Sequence, residues 1–197
     1  EYGGECHCEL CQEAFRGWLR RKYEDDLDQL NHAWWNAFWS HTRTDWSQIE
    51  SPCPHGEMRS QGLLLDWKRF VTDQTIDFFH NEIAPLRELT PDVPITTNFM
   101  GLYNGLDYWK FGREVDVVSW DSYPAWHASG EHPERFTGDF SMTYAWHEDG
   151  KDWKIASDTA FTHDLNRCLR GGQPFLLMES TPSVALSMPA SKLKRPG

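Results

Sequence analysis

Long apolar runs are missing from this 197-residue sequence: no stretch of about 18 such residues occurs, so no membrane span is expected. Basic residues are few. Nineteen Lys and Arg stand against thirty Asp and Glu, a formal net charge of -11, which argues against a polyanion partner and so against nucleic acid. Cysteines number five, and three of them crowd into Cys6-x-Cys8-x-x-Cys11. That bunching does not suit a paired disulfide framework, because bridges between such near neighbours are strained. Thiols free or on a metal, in a reducing compartment, are expected instead. The chain also lacks a secretory signal pattern, an initiator methionine, a low-complexity tract, a short-period repeat and a linker.

Tryptophan is abundant, with eleven residues. Such rings either fill a core or form flat platforms under sugar rings. Phe15, Trp18, Leu19 and Tyr23 recur on one face of a helix predicted over Cys11–Tyr23. Asp26 caps a second helix carrying Leu27, Leu30 and Trp34. Residues 40–62 read as a long surface loop. Leu64, Trp67, Val71, Phe78 and Phe79 then mark the apolar stripe of a helix over Leu63–Leu89, which Pro85 kinks or ends early.

Past residue 90 the period changes. Ile95–Phe99, Val115–Trp120 and Pro174–Glu179 read as strands, separated by a helical stretch at 106–112, an irregular polar segment at 121–157 and a helix over Thr159–Arg170 that ends at Gly171-Gly172. Alternation of this kind is the signature of parallel βα units. The strands end in polar residues: Asn98, then Asp121 with Tyr123, then Glu179. Ligands sit at the carboxyl ends of strands in parallel α/β folds, so this row is the expected rim of an active site. Glu179 closes an apolar strand and is expected to emerge into a polar cleft; the bland alternative is an exposed residue opening a loop. Three thiolates at C-x-C-x-x-C spacing suit tetrahedral Zn2+, with Cys53 or His7 able to complete the set; the alternative is three reduced thiols and no metal. Cys168, on a helix face, reads as a small buried residue.

Taken in order, EYGG with CHCELCQEAFR, then LLLDWKRF, TTNFMG, VSWDSYP, PFLLMESTPS and LKRPG resemble glycoside hydrolase family 42, the bacterial β-galactosidases. The resemblance covers nearly the whole chain apart from a divergent stretch near 125–157. It implies a (β/α)8 TIM barrel, here incomplete, from the end of the fourth strand to just past the seventh. Residues 1–197 would then be part of one catalytic domain truncated at both ends. It also implies a retaining, cytoplasmic bacterial enzyme acting on terminal β-D-galactose. Glu1 matches the acid/base, Glu179 the nucleophile, and Tyr123 a tyrosine that places the nucleophile or sugar. Retaining chemistry requires those two carboxyls about 5–5.5 Å apart. Cys6, Cys8 and Cys11 match three ligands of the family's structural zinc, whose fourth ligand lies earlier in the family sequence than residue 1. An aromatic that projects towards a neighbouring subunit's site falls at Trp35 or Trp39, and a homotrimer is implied by the resemblance alone. One departure stands out. Ser187 occupies the place of the family's pocket tryptophan, and Ser191 that of an asparagine. The departure leaves open a related retaining glycosidase of other β-sugar specificity. A non-catalytic zinc-binding or interaction module is the reading from a different class.

Overall fold

The computed structural model describes residues 5–52, 60–99, 103–122 and 152–180, with the side chains of Trp39 and residues 152–155 outside that description. Glu1, Cys53, Tyr123, Ser187 and Ser191 therefore lie outside the described residues. The chain divides into two compact units, Glu1–Phe78 and Phe79–Gly197.

The first unit is helical. Helix α1 spans Glu9–Lys22 and α2 spans Leu27–Ala33. A 3-10 turn at Asn36–Trp39 and another at Trp46–Gln48 lead towards α3, which begins at Gln61 and runs to Leu89 across the boundary between the units. Asp26 caps α2 as its sequence position predicts, accepting from the amides of Asp28 and Gln29 at 2.9 and 3.1 Å. The core gathers Phe15, Leu19 and Tyr23 from α1, Leu30 and Trp34 at α2, Trp46 and Ile49, and Leu63, Trp67 and Phe70 from α3. Burial of these large side chains is the main force holding the unit together, at roughly 1.5–3 kcal/mol for each. At Gly62 a Cβ would fall 2.8 Å from the Trp34 backbone, so glycine is what allows α3 to approach α2.

Several local expectations shift. The loop expected over 40–62 contains an ordered turn, since Asp45 and Gln48 form a capping box around Trp46–Gln48. Phe78, placed on the buried stripe by periodicity, is 62% exposed, and the buried face of α3 runs instead through Leu63, Trp67, Phe70, Ile76 and Phe79. Pro85 does not end α3, because the one amide it removes is outweighed by the turns around it. Cys168 is exposed rather than buried. Of the tryptophans, Trp34, Trp46, Trp67 and Trp120 fill cores, while Trp35 and Trp109 stand exposed.

The second unit holds a parallel three-stranded sheet in the order β1 (Asn98–Phe99), β2 (Ser119–Ser122), β3 (Leu176–Ser180). Helix α4 (Tyr108–Phe111) lies between β1 and β2, and α5 (Asp152–Cys168) precedes β3. Both strands predicted before residue 121 are shorter or later than their β-rich sequence. Side chains replace ladder bonds there: Asp116 accepts from the amide of Ile95 at 2.6 Å, and Thr96 donates to the carbonyl of Val117. On one sheet face α4 and α5 cover β1 and β2, with Phe99 stacked on Tyr108 at 4.8 Å and Trp120 edge-on to His163 at 5.3 Å. Gly171 and Gly172, at φ +62° and +87°, end the turn after α5 in a conformation that side chains disfavour. Among the described residues β3 is an edge strand, with Leu176, Leu177 and Met178 51%, 44% and 46% exposed. Among the described residues no helix is long and apolar enough to cross a membrane.

Candidate active site and thiol cluster

The strand ends bring three sequence-predicted residues into one row. Asn98 pairs in register with Ser119, and Asp121 pairs with Glu179, so parallel pairing sets all of them on one face of the sheet. The Asn98 side-chain amide donates to Asp121 Oδ2 at 2.5 Å. Below them Thr96 Oγ1 lies 2.9 Å from Ser119 Oγ, and Ser119 donates to the carbonyl of Thr97. This face is polar where the opposite face, with Phe99 and Trp120, is apolar and covered. Glu179 is exposed on it, as expected of a carboxylate leaving an apolar strand.

Glu179 reaches that face through an irregularity that periodicity could not show. Leu176 pairs with Ser119 and Leu177 with Trp120; the register then slips, and Asp121 meets Glu179 rather than Met178. Alternation of two would have turned the glutamate towards the helices.

The three cysteines of the first unit also come together. The sulfurs of Cys6, Cys8 and Cys11 lie within 4.8 Å of one another, with Cys8 and Cys11 3.7 Å apart. A tetrahedral zinc with Zn–S bonds of about 2.3 Å separates its sulfurs by roughly 3.8 Å, so the donor set fits that ion. Hydrogen bonding with Cys6, then burial and the other neighbouring thiol, pushes the Cys11 thiol up to about 12, while a backbone hydrogen bond at Cys11 and the thiol of Cys6 lower that of Cys8. Adjacent thiols cannot all ionise at neutral pH without a cation among them.

His7 does not join this group. Its Nδ1 lies 2.9 Å from Ser51 Oγ and its ring stacks on Trp67 at 5.2 Å. Gln12 donates to Ser51 Oγ at 2.8 Å and accepts from the Ser51 amide, and Glu5 accepts from Trp67 Nε1 at 2.5 Å. Segment 5–12 is thus tied to α3 and to residue 51. Cys53, the other candidate fourth ligand, lies outside the described residues, as do Glu1 and Tyr123.

The WWNAFW segment is held by buried Asn31, which donates to the Arg43 carbonyl at 2.8 Å and accepts from the Arg43 amide and from Asn36. Trp35, at φ +57°, is 71% exposed and Phe38 is 66% exposed; Trp39 ends the 3-10 turn. Asp66 was missed as a structural centre, although its place on the Leu63–Phe70 stripe is a legible sign of a partnered buried acid. It accepts from Tyr23 at 2.7 Å, Trp34 and Arg69 at 3.0 Å each, and from Lys22.

Parallel strands with returning helices, and a row of polar residues at their carboxyl ends, define the class: an α/β protein, a class in which ligands sit at the strand ends. The sequence model described as beta-galactosidase matches residues 1–197, and the chain belongs to glycoside hydrolase family 42. It is 59% identical to beta-galactosidase BglY of Alicyclobacillus acidocaldarius and 54% identical to beta-galactosidase GanA of Bacillus subtilis, in each case over its whole length. It also resembles the solved structure of Gan42B, a GH42 beta-galactosidase from G. stearothermophilus, at 56% identity and a TM-score of 0.79 over 100% of the chain. The chain spans about a quarter of these relatives: 25% of BglY, 27% of GanA and 27% of the Gan42B chain.

Proposed function

We propose that this chain is part of the catalytic barrel of a retaining β-galactosidase, in which Glu179 is the nucleophile and Glu1 the general acid/base. The observation that carries this reading is the register pairing of Glu179 with Asp121 on the polar face at the strand ends. The exposed apolar edge of β3 supports an incomplete barrel, since such an edge normally pairs with a further strand. Glu179 attacks the anomeric carbon while Glu1 protonates the departing oxygen, forming a covalent galactosyl ester and releasing the aglycone. Glu1 then takes a proton from water, which displaces Glu179 and frees galactose with its configuration retained. Tyr123 places the nucleophile or the sugar, Asn98 and Asp121 line the polar face of the sheet beside Glu179, and Trp35 or Trp39 projects towards a neighbouring subunit's site. Galactosides are the substrate, and the full-length enzyme assembles as a trimer in the cytoplasm.

A 2-fluoro-β-galactoside with a good leaving group tests the nucleophile. The fluorine slows both steps, but the leaving group spares the first, so the ester accumulates. Peptide mass mapping of the full-length enzyme is expected to place the adduct on Glu179; an adduct on any other carboxylate refutes the assignment. Faster labelling by another fluorinated glycoside would identify a different β-sugar, the reading that Ser187 favours.

Cys6, Cys8 and Cys11 hold a structural zinc, with a fourth ligand from outside the described residues. When bound, the ion supplies charge neutralisation and a crosslink for the segment entering α1. Metal analysis of the full-length enzyme is expected to give one zinc per chain, lost in Cys8→Ser along with several degrees of thermal midpoint. Equal zinc content in the two proteins would refute the site, and zinc without turnover in the unsubstituted enzyme would favour the binding module.

A further inference from the structure

The register slip beside Asp121 demands something to hold it. A strand pair can slide by one residue at modest cost unless packing or a specific bond pins it, and here one residue decides whether Met178 or Glu179 faces the site. Apolar packing pins the opposite face, where Phe99 and Trp120 lie against α4 and α5. On the polar face, at the level of the slip, a 2.5 Å hydrogen bond from Asn98 to Asp121 runs from β1 to β2. Asp121 is the first residue after the slip, and its strand partner is Glu179. Thr96, just ahead of β1, meets Ser119 of β2 one layer below. Asn98 thus holds the single residue from which the correct phase of β3 is counted.

We propose that Asn98 is a positioning residue: through its hydrogen bond to Asp121 it locks the register that presents Glu179 to the sugar. The inference rests on the reading of Glu179 as nucleophile. Asn98 spends its amide on Asp121 and acts on the reaction at one remove. The bond needs one donor and one acceptor but is indifferent to which strand supplies which.

That indifference gives the test, made in the full-length enzyme. Asn98→Ala and Asp121→Ala are each expected to lower kcat by about 10- to 100-fold, the cost of a misplacement near 1 Å, with KM and inhibition by free galactose changed less than about threefold. The double variant is expected to be no slower than the worse single one. Asn98→Asp alone sets two carboxylates together and is expected to be equally slow; it also serves if the alanine variant does not fold. Joined with Asp121→Asn, it restores a donor and an acceptor in the reverse sense, and kcat is expected to recover to within about threefold. The proposal is overturned if the exchanged pair stays as slow as the single variants, or if the single effects multiply. It is equally overturned if KM and galactose inhibition weaken while kcat holds, the signature of direct sugar contact. Fluoro-sugar labelling of the unsubstituted enzyme separates the two readings: an adduct on Glu179 with no rescue sinks the lock alone, and an adduct elsewhere sinks both.

Discussion

Replacement of Glu179 by alanine in the full-length enzyme is expected to lower kcat on aryl β-galactosides by about 10^4-fold or more, since losing a covalent nucleophile removes the route rather than one contact. On the proposed assignment binding is expected to survive, because hydroxyl contacts made by other strand ends would remain. The substitution also leaves a gap where a carboxylate stood on the exposed polar face. Azide can occupy such a gap and attack the anomeric carbon from the side assigned to Glu179 in the proposed mechanism. With an activated substrate, azide is expected to restore turnover and yield galactosyl azide of α configuration, from one inversion in place of two. Activity within tenfold of the unsubstituted enzyme, or an azide product of β configuration, would remove Glu179 from the role. Alanine at residue 1 should behave differently, sparing substrates whose leaving group needs no proton.

The second large effect concerns stability. Asp66 is 1% exposed within the first unit. Burial alone would raise the pKa of its carboxyl, but hydrogen bonds from Lys22, Trp34, Tyr23 and Arg69 outweigh burial and hold it below the usual carboxylate range. The carboxylate in turn raises the pKa of the Tyr23 hydroxyl, which burial has already pushed up. Asp66→Ala strands four donors around an apolar stump and is expected to cost about 3 kcal/mol, the lower end for breaking a buried pair, because Lys22 and Arg69 keep partial access to water. The thermal midpoint should fall by roughly 6 °C or more. The pH dependence has a definite sign. A carboxyl held down in the folded state contributes fully above its unfolded pKa of about 3.9 and loses that contribution as pH falls through its folded value. The stability gap between the unsubstituted protein and Asp66→Asn is therefore expected to be widest near neutrality and to close below about pH 4. A gap independent of pH would mean that shape, not charge, holds the site.

Much of the architecture was legible because local patterns and burial agree. The helix over α1 follows from Phe15, Leu19 and Tyr23 at intervals of four, and all three are buried. Asp26 announced α2 through its capping chemistry. The strand ends were legible as polar residues closing apolar runs, and Asn98, Asp121 and Glu179 do lie in one row. The failures also have physical causes. Phe78 fits a helical stripe yet faces outward, because periodicity gives a face but not which face a partner covers. Asp66 sits on the buried stripe of α3, where its partners come from α1 and α2, more than thirty positions away in sequence.

By itself the sequence determined the family, the element order, the cysteine spacing and the polar strand ends, since each is written in residues adjacent along the chain. Only the tertiary structure decided that the three sulfurs converge, that His7 turns away to Ser51 and Trp67, and that β3 slips so that Glu179 rather than Met178 meets Asp121. Those outcomes depend on which distant groups compete for the same neighbour, and that competition is resolved only when the chain is packed.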